Sequence, residues 1–266
     1  IPVNQSSGGG SGVNNAVYTF FEKNSTYFNY QYIDPQPNKI EKLFSQIQKL
    51  LGFKRNYFFF SESRLKKIKN TFALNQNADV YFFHGFTPWI KTKPDKPYFC
   101  FNDACFATYV SIYNNKNEFR NKDLERIYEK ESNWLKNALA VFFRSEWALQ
   151  ETKKAYNLKG DNFYNVGVGG FIDIPDKDYY ADGYNFIFIA REFVPKGGKQ
   201  TVDAFKKIRQ DYPEATLTIL GEKPPEDVLS VGGVEYLGFL NKSVPAEKTR
   251  LIETFKTAFA LVHPTI

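Results

Sequence analysis

Short apolar runs alternate with longer amphipathic stretches along this chain, and the alternation is clearest between residues 186 and 223. Phe186–Ala190 is an apolar run with the length and composition of a strand that is buried on both faces. Thr201–Tyr212 has its apolar residues on one helical stripe, and Thr216–Leu220 is a second apolar run. A strand, a crossover helix and a strand in this order predict a βαβ unit and therefore a parallel sheet.

The same alternation runs through the rest of the chain. It predicts helices over Val13–Glu22, Asn38–Phe53, Lys122–Asn137, Glu146–Tyr156 and Pro245–Thr257. It predicts further strands over Ile1–Val3, Tyr27–Ile33, Ala78–Gly85, Pro97–Phe101, Leu139–Phe143, Phe163–Val168, Val234–Leu237 and Phe259–Val262. Because Asp173–Asp182 is acidic and contains a proline, it is typical of a linker. We therefore predict an α/β protein with two doubly wound domains, residues 1–175 and 176–266.

The loop Arg191–Lys199 follows the first strand of the βαβ unit, where parallel sheets bind ligands. Gly197 and Gly198 let the backbone approach a ligand closely, and the next helix offers free N–H groups and a positive dipole end. Arg191 can bind a phosphate through two parallel hydrogen bonds, and Lys196 can add a point charge. The loop therefore predicts an anion site. The alternative is an ordinary turn whose cations are solvated.

Four segments occur in a fixed order: Arg191–Gly197, Gly221-Glu222, Val234–Phe239 and Ala260–Pro264. This ordered set resembles the motifs of the GT-B family of retaining nucleotide-sugar glycosyltransferases. Ala190 departs from the family pattern, which usually has glycine before the arginine. The resemblance implies two Rossmann-like domains on either side of a cleft. It also implies that the second domain is incomplete here, because the family's paired acidic motif would follow a segment like His263-Pro264.

The resemblance also implies roles for particular residues. Arg191 and Lys196 would hold the donor diphosphate and help the leaving group depart, which makes them the predicted catalytic residues. The family has a glycine-rich loop after its first strand, and Gly9 and Gly10 match it best. A flexible tail is the alternative reading of that segment. The complete set of predicted donor-binding residues is Gly9, Gly10, Arg191, Lys196, Gly197, Glu222 and Leu237.

The first domain would take the acceptor, with polar and aromatic residues at its strand ends. The predicted acceptor or sugar-binding residues are His84, Trp89, Asn102 and Asp103. A lone histidine such as His84 is more often structural, and Asp103 could equally cap a helix. The family often carries a histidine near the Asn102 position. Asparagine can donate and accept hydrogen bonds but cannot shuttle a proton, so a histidine role is not carried over to it.

The composition narrows the classes of partner. A net charge of +6 and a pI near 9.0 suit anionic ligands. The cations are dispersed and no known module is present, so we predict no nucleic-acid binding. Basic and aromatic residues between 54 and 69 predict either peripheral contact with an anionic membrane or a solvated helix face. Cys100 and Cys105 lack the spacing of a zinc site, which favours reduced thiols and a cytoplasmic protein.

Together these features predict a glycosyltransferase that moves a sugar, with retention, from a UDP- or GDP-linked donor to a glycan, lipid or protein acceptor. The resemblance implies that neither a metal nor a cofactor takes part. Two alternatives stay open: a non-catalytic sugar- or nucleotide-binding protein of the same fold, and a nucleotide-sugar epimerase. The sequence predicts no oligomeric state.

Overall fold

The structure is a computed structural model, and it describes residues 11–24, 26, 39–51, 61–74, 76–113, 116, 119–169, 177, 179–180, 182–242 and 244–264. The chain divides into two compact units, Ile1–Phe171 and Ile172–Ile266. The predicted boundary between residues 175 and 176 lies outside the described residues, as do the predicted strands Ile1–Val3 and Tyr27–Ile33. Each unit is described by itself below.

A four-stranded parallel sheet with helices between its strands forms the first unit. Its helices are α1 (Ser11–Lys23), α2 (Lys39–Leu50), α3 (Glu62–Ala73), α4 (Phe106–Tyr113), α5 (Asn121–Lys136) and α6 (Glu146–Tyr156). Its strands are β1 (Tyr81–His84), β2 (Tyr98–Asn102), β3 (Ala140–Phe143) and β4 (Phe163–Asn165). The strands lie in chain order, β1-β2-β3-β4, with every pair parallel. A short 3₁₀ helix, Thr87–Trp89, follows β1.

Alternate side chains of the first sheet belong to two different environments. Tyr81, Phe83, Cys100, Val141 and Phe143 are buried in the main core, which they share with residues of α3 to α6. The residues between them point to the opposite face because successive strand residues alternate. They form a row of aromatic side chains: Phe82, Phe99, Phe101, Phe142 and Tyr164. This row runs up to the carboxyl ends of the strands.

The local sequence explains where α6 begins. The Ser145 hydroxyl accepts a hydrogen bond from the Ala148 backbone N–H (3.2 Å) and so caps α6, as the sequence predicts.

The predicted amphipathic helix near residue 40 is confirmed as α2. However, its apolar residues are all exposed: Ile40, Leu43, Phe44, Ile47 and Leu50. The predicted cap of α2, Asn38, lies outside the described residues.

The second unit also has a parallel four-stranded sheet. Its strands are β5 (Asn185–Ala190), β6 (Thr216–Gly221), β7 (Val234–Gly238) and β8 (Ala260–Leu261). Its helices are α7 (Gly198–Asp211), α8 (Glu226–Leu229) and α9 (Pro245–Lys256). The order β7-β6-β5-β8 places β5 and β6 at the centre, and α7 connects them as the predicted βαβ unit. Phe188, Leu217 and Ile219 are buried with Val202 and Phe205 of α7.

Candidate functional site

The loop predicted to bind an anion lies at the carboxyl ends of the strands of the second sheet. Residues 191 to 197, here called the donor loop, connect the end of β5 to the start of α7. Gly197 is the N-cap of α7 and has a φ of 78°. The Gly198 N–H donates to the Phe193 carbonyl oxygen (2.9 Å), whereas the next N–H groups of this fourteen-residue helix have no partner within the helix, and its N-terminus carries a partial positive charge. The donor loop therefore ends at a backbone site suited to an anion.

Close packing fixes the donor loop at its glycines. A Cβ at Gly197 would lie 2.1 Å from the carbonyl oxygen of Pro264, and one at Gly198 would lie 2.4 Å from the ring of Phe193. Phe193 is buried and packs edge-on against Phe188, with 5.6 Å between ring centroids. The loop is therefore anchored by an aromatic side chain between its two cations, and no larger residue fits at either glycine without displacing its neighbour.

Glu222, directly after β6, makes the second contact that holds the donor loop. Its carboxylate accepts a hydrogen bond from the backbone N–H of Phe193, and its own backbone N–H donates to the carbonyl oxygen of Ala190 (2.8 Å). The hydroxyl of Tyr236 donates to the carbonyl oxygen of Gly221 (2.9 Å). Glu222 therefore supports the loop in this structure, while its predicted role in binding the donor stays a prediction.

The cations of the donor loop differ in their surroundings. Arg191 is exposed, and its guanidinium lies 5.8 Å from the ring centroid of Phe239. Lys196 is half-buried next to the start of α7. Leu237 is half-buried near the end of β7. Arg191, Lys196, Gly197, Glu222 and Leu237 therefore all belong to one edge of the sheet, where two cations and a helix N-terminus can bind a diphosphate.

The carboxyl edge of the first sheet brings together three of the predicted acceptor residues. His84 ends β1, Asn102 ends β2 and Asp103 follows directly. The strands are parallel neighbours, with His84 paired to Phe101 in register, so these residues share one edge. Arg144 joins them from the end of β3. Arg144 was not among the predicted site residues, although its position directly after a buried strand indicates this edge.

Contacts at this edge connect Arg144 with His84 through an aromatic ring. The guanidinium of Arg144 and the imidazole of His84 each lie 5.6 Å from the ring centroid of Phe101. Nη1 of Arg144 lies 3.5 Å from Oδ2 of Asp103. Within the described part of the chain, buried Nε2 of His84 and buried Nε of Arg144 have no hydrogen-bond partner. Burial, and next the charge of Arg144, lower the pKa of His84 to about 4, so the imidazole is neutral at pH 7.

Two of the predicted acceptor residues, Trp89 and Asn102, make structural contacts with the protein. Trp89 is only 5% exposed, its ring lies against Phe83 (5.2 Å), and its Nε1 donates to the carbonyl oxygen of His84 (3.2 Å). A sugar has no ring face to stack on there, so this conformation does not support the predicted role of Trp89. The side-chain amide of Asn102 donates to the carbonyl oxygen of Ala104 (2.7 Å) and so shapes the turn before α4.

A buried carboxylate supports the loops of this edge from below. Glu131 of α5 accepts hydrogen bonds from the Thr87 hydroxyl (2.6 Å), the Phe106 backbone N–H (2.7 Å) and the Tyr156 hydroxyl (2.5 Å). These donors belong to the segment after β1, to the start of α4 and to α6. Burial raises the pKa of Glu131. Glu131 was not among the predicted site residues, although it lies four positions from both Ile127 and Leu135 on the inward stripe.

No family model and no curated protein matches this sequence, but several solved structures are similar to the chain. An α,α-trehalose 6-phosphate synthase from Burkholderia multivorans matches over 82% of this chain and 56% of its own, with a TM-score of 0.50 and 10% identity. OtsA matches over 76% and 57%, with a TM-score of 0.48 and 11% identity. A protein described as a UDP-N-acetylglucosamine 2-epimerase from Listeria monocytogenes matches over 83% and 62%, with a TM-score of 0.43 and 13% identity.

The chain has a GT-B fold. The match to the synthase structure and the two parallel α/β sheets confirm the fold class that the sequence predicts. This GT-B chain spans less than two thirds of the length of each of these three structures. At 10% identity the likeness concerns the fold and does not assign an activity, because one fold supports many activities.

Other predicted features of the GT-B chain fall partly outside the described residues. Gly9 and Gly10 lie outside them, as do residues 54–60 of the predicted membrane patch. The remainder of the patch belongs to α3, whose apolar Leu65 and Ile68 are buried while Lys66 and Lys67 are exposed. In this described part, the exposed face of α3 is polar and its apolar residues are turned inward. Membrane contact is therefore not supported here.

Among the described residues, no three or more histidine, cysteine, aspartate or glutamate side chains are grouped so that they could hold a metal ion. Nor does any described helix combine the length and the apolar character that a bilayer crossing requires.

Proposed function

We propose that this protein is a glycosyltransferase that moves a sugar from a nucleotide-sugar donor to an acceptor. The observation that carries this proposal is the donor loop, which joins Arg191 and Lys196 to the N-terminus of α7 at the carboxyl edge of a parallel sheet. Open α/β sheets bind nucleotides at this edge. The GT-B fold and the ordered motifs of the second unit support the same assignment.

The chemistry follows from where negative charge develops. When the bond between the sugar and the diphosphate breaks, charge accumulates on the leaving oxygen. Arg191 and Lys196 would stabilise this charge, and the N–H groups at the start of α7 would hold the diphosphate. Glu222 and Phe193 would keep the loop in place during this step because they anchor its backbone. These residues perform the step without a metal ion, and we further propose that the sugar keeps its anomeric configuration.

The first unit would bind the acceptor, and the donor would be linked to UDP or GDP. Edge residues His84 and Asn102 are the proposed acceptor-binding residues, and Arg144 is now added to them. Asp103, which the sequence predicts for the same site, pairs with Arg144, and its contact with the acceptor stays a prediction. The acceptor class is a glycan, a lipid or a protein. We also propose that the reaction takes place in the cytoplasm, and the free, buried Cys100 and Cys105 support this proposal.

Nucleotide release is the measurement that tests this function. UDP-, GDP- and ADP-sugars are offered to the protein with and without candidate acceptors. We expect acceptor-dependent release, and we expect Arg191→Ala to lower its rate by about a hundredfold, the cost of losing one transition-state donor. Lys207→Ala is the matched control, because Lys207 is an exposed cation on the outer face of α7.

The same experiment separates the two alternatives. A non-catalytic protein would bind a nucleotide sugar but release nothing with any acceptor. An epimerase would convert the donor without needing an acceptor at all. Either result, or equal rates for Arg191→Ala and Lys207→Ala, would contradict the proposed function.

A further inference from the structure

The edge of the first sheet contains a charged group of residues whose ligand the proposed function leaves unspecified. We call the set His84, Phe101, Asp103 and Arg144 the Arg144 corner. These residues come from the ends of β1, β2 and β3, three neighbouring parallel strands. The corner therefore lies at the edge where α/β sheets bind ligands, and it continues the aromatic row on the outer face of the sheet.

Arg144 has binding capacity that the protein itself does not use. Its described polar contact is the 3.5 Å ion pair with Asp103, whose side chain is 63% exposed. An ion pair with so exposed a partner is weak. Nε of Arg144 is buried and lacks a hydrogen-bond partner within the described ranges. A guanidinium presents several N–H donors in a planar fork that fits a carboxylate or a phosphate.

The neighbours of Arg144 favour an anion over a second cation. His84 is neutral at pH 7 because burial and the charge of Arg144 lower its pKa, so it contributes one donor and one acceptor without adding charge. The ring of Phe101 lies beside both groups and excludes water from one side. Electrostatic attraction is stronger in such a low-dielectric environment than in bulk water.

We propose that the Arg144 corner binds a carboxylate or phosphate group, so that the acceptor of this protein is an anionic sugar. The description of this ligand as the acceptor rests on the proposed function, whereas the binding itself does not. The oxyanion of the ligand would replace the carboxylate of Asp103 on the guanidinium, and the Asp103 side chain would rotate away from Arg144 into the solvent. His84 would then hydrogen-bond a hydroxyl next to the charged group.

Asp103 makes the proposal testable in two directions. Asp103 is paired with Arg144, so an anionic ligand must compete with it for the guanidinium. The negative charge of Asp103 also repels that ligand. Removal of Arg144's charge should therefore weaken anion binding, whereas removal of Asp103's charge should strengthen it. A merely structural ion pair would not produce these opposite effects.

The two histidines of the chain allow the binding to be located by NMR. His84 belongs to the first unit, and His263 belongs to the second, near the donor loop. The protein is titrated with glucuronate, glucose 6-phosphate and the neutral methyl glucoside, and the ring signals of both histidines are followed. We expect a charged sugar to shift His84 with an affinity about tenfold higher than that of methyl glucoside. If glucuronate binds more tightly than glucose 6-phosphate, the corner prefers a carboxylate, and the reverse order indicates a phosphate.

Three variants complete the test. Arg144→Gln should abolish the preference for the charged sugar, and Lys159→Gln should retain it because Lys159 is an exposed cation in the loop before β4. Asp103→Asn should strengthen charged-sugar binding by about two- to fivefold, the range expected for removing an exposed ion pair. Asp103→Asn keeps the test decisive if Arg144→Gln fails to fold.

The outcomes also separate this proposal from the proposed function. Equal affinities for all three sugars, an unchanged preference in Arg144→Gln, or unchanged binding by Asp103→Asn would overturn the anionic-acceptor proposal. UDP is titrated in parallel and should shift His263 but not His84. If UDP shifts neither histidine, the donor site is wrong, while the His84 result still decides the Arg144 corner.

Discussion

The carboxyl edges of the two sheets solve different binding problems. In the second unit, an exposed Arg191 and a half-buried Lys196 flank a helix N-terminus, on a loop fixed by Phe193 and Glu222. In the first unit, one arginine, one neutral histidine and one exposed carboxylate lie against an aromatic ring. The first arrangement suits a doubly charged diphosphate, and the second suits a single charged group on a sugar.

The difference also concerns rigidity. The donor loop is held by close backbone contacts, which transition-state stabilisation requires because its groups must not reorganise during the reaction. The first edge is supported indirectly, by the hydrogen bonds of Glu131 beneath the loops. Each of the following predictions removes one element of this contrast.

The largest expected effect compares a packed glycine with an open one. Gly221 has a φ of 111°, and a Cβ there would lie 1.8 Å from the carbonyl oxygen of Ala190. Gly85, at the end of β1, has a φ of 82° with nothing within 4 Å of its would-be Cβ. Gly221→Ala should lower the free energy of unfolding by about 3 kcal/mol or more, from overpacking added to strain. Gly85→Ala should cost only the strain, about 1 kcal/mol. Chemical denaturation measures both, and equal losses would contradict the packing difference.

The next effect is the pH dependence of His84. Its pKa in the folded protein is about 4, below the ordinary 6.5, so between these values the unfolded state binds more protons. Stability is therefore complete above pH 6.5 and falls as the pH drops towards 4, by about 2 to 3 kcal/mol. Denaturation across this range should show a loss that is about 2 to 3 kcal/mol smaller in His84→Gln than in the unmodified protein, and equal losses would contradict the lowered pKa of His84.

An NMR titration checks the physical cause of this shift. Arg144→Gln should raise the pKa of His84, because the charge of Arg144 is one of the causes that lower it. An unchanged pKa of His84 in this variant would show that the two side chains are not electrostatically coupled.

The smallest expected effect is on UDP binding. Two variants of Glu222 show whether its hydrogen bond to the loop or its negative charge matters for that binding. Glu222→Ala removes the acceptor of the Phe193 N–H and should weaken UDP binding by about tenfold, since the loop loses its position. Glu222→Gln keeps an acceptor oxygen, so UDP binding should stay equal or become stronger as a negative charge disappears. Isothermal titration calorimetry with UDP compares the two. A loss in Glu222→Gln as large as in Glu222→Ala would mean that the charge itself is required.

Several elements could be predicted because their signals are local. The βαβ unit from Phe186 to Leu220 follows from apolar runs of strand length around an amphipathic helix, and the structure confirms it. The cap of α6 by Ser145 follows from one residue type at one position. The strand ends that carry His84 and Asn102 were likewise placed correctly, and this brought them to one edge.

Other features depended on contacts between residues far apart in the chain. Trp89 was predicted to contact a sugar because it follows the end of a strand, but it is buried, with its ring against Phe83 and its Nε1 bonded to the His84 carbonyl oxygen. Glu131 was overlooked because α5 is highly charged and its burial needs donors from three other segments. In α2, the predicted helix formed, but periodicity could not say whether its apolar face would be covered.

The amino-acid sequence by itself determined which segments become strands and helices, and which cations follow the strands, because periodicity and loop chemistry act over a few residues. Only the tertiary structure decided which side chains contact one another at each edge and which of them keep an unused hydrogen-bonding group. Arg144 shows the physical reason: its pairing with Asp103 and its influence on His84 arise when three strands align in register.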